Sequence, residues 1–128
     1  MIIALDYDET YTADKDLWDE FISQSVHRGH EVVLATYRHP VHDYNTDFDH
    51  LKNMAIKCYF TDGKAKKQFL EDLGVTVNVW IDDRPKTVYE DSAWGVDSPE
   101  LHAWRKDNEL TAKGEPRVHL DAIVNRIP

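Results

Sequence analysis

Two carboxylates, Asp6 and Asp8, stand two residues apart at the end of the apolar run Ile2-Ile3-Ala4-Leu5. In an extended chain that spacing turns both side chains to one face. Like charges so close repel, and a divalent cation offsets the repulsion. Hard oxygen donors supplied by one or two carboxylates suit magnesium. Three further pieces have chemistry to offer. Thr36-Tyr37-Arg38 closes a second apolar run, Lys64 opens a helical pattern with Lys66 and Lys67 close behind, and Asp82-Asp83-Arg84-Pro85 follows a third apolar run.

The elements that must position these groups follow from periodicity. Ile2 to Leu5 has the length and β-branched content of a buried strand. Leu17, Trp18, Phe21, Ile22 and Val26 recur at helical spacing, so Lys15 to Arg28 reads as an amphipathic helix with Asp14 as N-cap and Gly29 past its end. Glu31 to Thr36 is the second strand. Strand, crossover helix and strand make a βαβ unit, which is right-handed in nearly all cases, so the second strand lies parallel to the first. It delivers Thr36, Tyr37 and Arg38 to the same edge as Asp6.

His39 to His50 is a polar loop, after which Thr46 with Asp49 resembles a capping box for a short helix. Ile56 to Phe60 is a third strand, Lys64 to Leu73 a helix with Ala65, Phe69, Leu70 and Leu73 inward, and Val75 to Ile81 a fourth strand. Beyond it, Thr87 to Tyr89 reads as a short strand, Pro99 to Lys106 as a helix start and Asp107 to Pro116 as a loop. Leu120, Ile123, Val124 and Ile127 have the spacing of a closing helix. The fold class is α/β: a mainly parallel central sheet flanked by helices, Rossmann-like, in one domain spanning residues 1–128.

In order and in secondary-structure context, Asp6-x-Asp8-x-Thr10, Thr36, Lys64 and Asp82-Asp83 resemble the four motifs of the haloacid dehalogenase-like phosphohydrolases. The resemblance covers Met1 to about Pro85. It implies that topology, with no large cap domain because the link from Tyr11 to Asp14 is short. It implies a magnesium-dependent phosphomonoesterase in which Asp6 is the nucleophile and Asp8 the general acid and base. Thr36 and Lys64 then act on the phosphoryl oxygens, with the Tyr37 N–H beside them. The metal ligands it implies are Asp6, Asp82 and the Asp8 carbonyl, with Asp83 as a second choice. The interval from Lys64 to Asp82 is short for the family, which leaves Lys66 and Lys67 as alternatives. Arg38 is expected either at the substrate or in a surface salt bridge. The substrate is expected to be a phosphorylated small molecule or nucleotide, or a nucleic-acid end.

Composition sets bounds. Of 128 residues, 41% are hydrophobic and 30% charged, an ordinary globular balance, and the net charge of −9 argues against broad nucleic-acid binding. A lone cysteine, Cys58, with no basic leader and no long apolar run, points to a cytoplasmic protein. His39, His42, Asp43 and His50 match no zinc signature well and read as a polar loop. Trp18, Trp80, Trp94 and Trp104 read as packing rather than base-stacking residues. Two rival functions remain open: a phospho-acceptor signalling domain, for which Asp62 is the candidate acceptor, and a non-catalytic binding protein on the same scaffold.

Overall fold

The computed structural model describes residues 1–92 and the backbone of 123–126. Its centre is a five-stranded sheet in the order β3-β2-β1-β4-β5, formed by β1 (Ile2–Leu5), β2 (Glu31–Thr36), β3 (Lys57–Phe60), β4 (Val79–Asp82) and β5 (Ile123–Arg126). The first four strands run parallel and β5 pairs antiparallel with β4. The helices are α1 (Lys15–His27), α2 (Thr46–Asn53), α3 (Lys66–Asp72) and the single turn α4 (Lys86–Tyr89), with a 3₁₀ turn at Tyr11–Ala13. The α/β class and the mainly parallel sheet agree with the expectation from sequence. Among the described residues no cap domain is inserted between these elements.

Alternation along each strand sorts the core into two layers. Ile3, Leu5, Val32, Leu34 and Ile81 face one way and meet Ile22 of α1 with Phe48 and Leu51 of α2. Ala4, Val33, Ala35 and Trp80 face the other way and meet Leu70 of α3 and Val88 of α4. β1 is therefore covered on both faces, which is why its sequence is unbroken apolar rather than alternating.

Several element boundaries differ from the sequence expectation. Leu17 and Val26, expected inward on α1, are exposed, whereas Ile22 and Ser25 are buried. α2 is capped by Asn45, whose side chain accepts from the Asp47 N–H at 2.9 Å, rather than by Thr46. The α3 helix begins at Lys66, two residues later than Lys64, and Leu73 ends exposed. β4 begins at Val79 rather than Val75, because Gly74 (φ 81°) turns the chain and Val75 N–H caps Leu70 O at 2.9 Å. Thr87–Tyr89 is helical, since Pro85 sets the φ of a helix start and the Val88 N–H bonds back to Pro85 O at 3.0 Å. Ile123–Arg126 is a strand rather than part of a closing helix: β4 would otherwise be an unpaired edge, and pairing satisfies its outer hydrogen-bonding groups. The expected helix at 99–106 and loop at 107–116 lie outside the described residues.

No helix among the described residues is long and apolar enough to cross a membrane.

Candidate active site

Strand order places the site. From β1 the chain goes to β2 and β3 on one side, then crosses back to β4 on the other. β1 and β4 thus flank the switch point, where open α/β sheets leave a crevice beyond their carboxyl ends. Asp6 follows β1 and Asp82 closes β4. The Asp6 N–H still bonds to Ile81 O at 2.9 Å, so its backbone is held in the ladder while its side chain sits at the sheet edge. The chain then folds back over this edge, with Tyr11 N–H on Asp6 O at 3.2 Å and Thr12 N–H on Tyr7 O at 3.1 Å.

Oxygens of Asp6, Asp82 and Asp83 all lie within 4.8 Å of one another, and all three residues are buried. Lys66 is buried with them. Its Nζ lies 2.8 Å from Asp6 Oδ1 and 2.7 Å from Asp82 Oδ2. The Thr10 hydroxyl stands 3.2 Å from Asp6 Oδ2 and 3.3 Å from Asp83 Oδ1, and it accepts from the Asp83 N–H. Asp82 is further fixed by the Arg84 N–H at 2.8 Å and the Thr87 hydroxyl at 3.1 Å.

This packing controls the protonation of the acids. Burial pushes the Asp6 carboxyl up to about 8, with Lys66 pulling it down and Asp83 adding to the rise. Burial and then the Asp6 charge push Asp82 up to about 6, against Lys66. Asp83 is raised by burial in the same way. For Lys66, burial disfavours the charge, yet Asp6 and Asp82 outweigh it and hold the ammonium above its ordinary value. With all three acids ionised, the cluster and the Lys66 ammonium would carry two net negative charges, which a divalent cation would cancel in place of the protons. Clustered hard oxygen donors are what magnesium takes, so Asp6, Asp82 and Asp83 fit that ion.

No family model matches this chain, and no curated protein or solved structure matches it either. The chemistry of the site therefore has to speak for its function.

The lysine expectation needs correcting. Lys64 is exposed and sits in the turn after β3, where its N–H bonds to Thr61 O at 3.1 Å and its own carbonyl accepts from the Thr61 hydroxyl at 2.8 Å. Because α3 starts at Lys66, that residue faces the sheet edge, while Lys67 pairs along the helix with Glu71. Lys66 was one of three adjacent candidates, and only the helix boundary separates them.

Arg38 lines the pocket, and its ion pair is buried rather than at the surface. It is buried, and its fork binds the Asp8 carboxylate through Nε at 3.0 Å and Nη2 at 2.7 Å. Nη1 donates to Asp43 O at 3.0 Å, and the guanidinium carbon stands 4.9 Å from the Tyr7 ring centroid. Tyr7 is held in turn through its hydroxyl, which donates to Asp47 and accepts from Asn45. The Asp8 side chain is thus directed toward Arg38 and stands apart from the three-carboxylate cluster.

Thr36 is buried at the end of β2, its hydroxyl accepting from the Arg38 N–H at 3.3 Å. Tyr37 borders the same pocket, and its hydroxyl donates to Glu90 O. The pocket is lined by Asp6, Asp8, Thr36, Tyr37, Arg38 and Lys66 on one side and by Glu9, Asp82, Asp83, Arg84 and Thr87 on the other. Its accessible volume of about 20 Å³ has room for an ion or one water.

Two sequence candidates fall elsewhere. Asp62, the acceptor that a signalling domain would need, lies outside this pocket. His39 Nδ1 accepts from the Val41 and His42 N–H groups at 3.0 and 3.1 Å, with its ring centroid 4.4 Å from that of His42, while His50 lies on α2 and pairs with Asp19 of α1. Thr10 and Thr87 had no role assigned from sequence. Thr10 carried a signal as the last position of the Asp6-x-Asp8-x-Thr10 pattern, whereas Thr87 carried none.

Proposed function

We propose that this chain is a magnesium-dependent phosphomonoesterase acting through an aspartyl-phosphate on Asp6. The observation that carries the reading is the arrangement about Asp6: a buried carboxylate at the sheet's switch point, bonded to Lys66 and clustered with Asp82 and Asp83. Bound by Asp6, Asp82 and Asp83, magnesium would supply positive charge against the substrate's phosphoryl oxygens and the carboxylates around them.

The chain's own groups divide the remaining work. A carboxylate oxygen of Asp6 forms a bond to phosphorus as the bond to the ester oxygen breaks. Asp8 is a carboxylate while Arg38 binds both its oxygens. It would have to take up a proton and release one of those bonds before giving that proton to the departing oxygen; it then takes one from the water that cleaves the acyl phosphate. Arg38 fixes the plane of the Asp8 carboxylate with two parallel bonds. The Lys66 ammonium, the Thr36 hydroxyl and the Tyr37 N–H stabilise charge on the equatorial oxygens. The absence of a cap among the described residues supports an extended substrate, such as a nucleotide or a nucleic-acid end.

The test is hydrolysis of p-nitrophenyl phosphate with and without magnesium, together with mass spectrometry of acid-quenched protein. Wild type should turn over only with the metal and carry one phosphoryl group on the Asp6 peptide. Asp6→Asn should do neither. A long-lived phosphoryl group without turnover would favour the signalling alternative, and no labelling with no turnover would favour a binding protein.

A further inference from the structure

Thr87 has no part in the hydrolytic scheme, yet its hydroxyl reaches one of the three clustered acids. It lies on the single turn α4 and lines the pocket. Its Oγ1 stands 3.1 Å from Asp82 Oδ2 and 2.9 Å from Arg84 O. One hydroxyl proton serves both acceptors. The carboxylate is the charged one, and charge-assisted bonds are the stronger kind.

The acceptor count on Asp82 shows what that bond does. An ionised carboxylate has about four lone-pair sites, two on each oxygen. Oδ1 takes the Arg84 N–H at 2.8 Å. Oδ2 takes the Lys66 ammonium at 2.7 Å and the Thr87 hydroxyl at 3.1 Å. Oδ2 is thereby filled, and Oδ1 keeps one site.

Taking the acids as the magnesium site proposed above, we infer that Thr87 is a positioning residue that makes Asp82 a one-oxygen ligand and thereby favours magnesium over calcium. With Oδ2 filled by Lys66 and Thr87, Asp82 offers Oδ1 to an ion. Magnesium demands near-ideal octahedral geometry with short bonds, which a single carboxylate oxygen can meet. Calcium takes a larger, looser shell and accepts both oxygens of one carboxylate. Without the Thr87 hydroxyl a site on Oδ2 opens, and Asp82 can turn both oxygens to calcium.

The experiment titrates the full chain with magnesium chloride and, separately, with calcium chloride by calorimetry. The readout is the ratio of the calcium Kd to the magnesium Kd. Thr87→Val exchanges the hydroxyl for a methyl group of similar size and keeps the branched side chain. It should raise the magnesium Kd by roughly tenfold to a hundredfold, the usual worth of a partner that holds a metal ligand in place. The calcium Kd should rise less, so the ratio falls. Thr87→Ser keeps the hydroxyl and should restore most of the ratio. Thr87→Ala should move it in the same direction as Thr87→Val, and carries the test if that variant does not fold. A role confined to packing would lower stability in metal-free urea denaturation and leave the ratio unmoved. An unchanged ratio, with magnesium still bound by wild type, overturns the assignment and leaves the metal site standing. Magnesium binding without hydrolysis of p-nitrophenyl phosphate overturns the phosphatase reading alone. A wild type that binds neither ion overturns both.

Discussion

Arg38 grips Asp8 with two parallel hydrogen bonds, Nε to Oδ2 at 3.0 Å and Nη2 to Oδ1 at 2.7 Å. The arginine side chain is 3% exposed and the aspartate 23%, so water competes weakly for the pair. In the proposed phosphatase, such a contact would orient the Asp8 carboxylate whatever the substrate is. Arg38→Ala should therefore lower kcat/KM on a small and an extended phosphate ester alike. The loss of a charge-assisted bond is worth about 1.5–3 kcal/mol. Arg38→Lys should recover little, because an ammonium cannot make the two parallel bonds. Steady-state kinetics on both esters decides it: loss confined to the extended ester would return Arg38 to substrate recognition.

Asp8 itself should be separable from metal binding. Its carboxylate lies on Arg38, away from the three clustered acids. Asp8→Asn should leave magnesium affinity near the wild-type value and lower kcat on an alkyl phosphate by ~10²–10⁴-fold. A p-nitrophenyl ester, whose leaving group needs less protonation, should suffer less. Calorimetric magnesium titration beside the kinetics checks both halves, and lost metal binding would contradict the assignment.

Lys66 holds the metal-free site together. Its ammonium lies between Asp6 and Asp82, and the three residues are buried. Removing one partner of such a cluster strands buried charge and typically costs about 3–5 kcal/mol. Lys66→Met should show a loss of that order in metal-free urea denaturation, partly recovered by magnesium, and should abolish turnover. Lys64→Ala, at an exposed turn, should stay within about 0.5 kcal/mol of wild type. The opposite ranking would reinstate Lys64.

Stability should fall as pH rises in the metal-free protein. Asp6 and Asp82 titrate at about 8 and about 6 when folded, against 3.8 ordinarily. Between those values the folded chain keeps protons that the unfolded chain has released, so unfolding gains with pH. The loss starts above the ordinary carboxylate range and is complete near the folded value of Asp6. Lys66, raised, contributes stability that is lost only far above this window, and Asp47, lowered despite burial by its bonds to Tyr7 and Lys15, acts below it. Magnesium would replace the retained protons, so it should raise the melting temperature more at pH 8 than at pH 5. Equal gains at both pH values, or metal-free stability increasing from pH 5 to 8, would contradict this account.

The parallel strands and the acids at their ends were legible in the sequence because each is a local pattern. An unbroken apolar run that stops at a carboxylate marks both the strand and its edge, as at Leu5-Asp6 and Ile81-Asp82. The short link after β1 likewise left no room for a cap there. Three things depended on the tertiary structure. Which of three neighbouring lysines enters the site turns on where α3 begins, and a shift of two residues rotates a different side chain toward the sheet. Ile123–Arg126 became a strand because β4 offers an edge to pair with, a partner that local periodicity cannot see. The partner of Arg38 was set by the parallel pairing of β1 with β2, which brings two residues thirty positions apart within 2.7 Å. Once that pairing buries the guanidinium, the nearby carboxylate of Asp8 satisfies it better than solvent can, a partner that the sequence does not name.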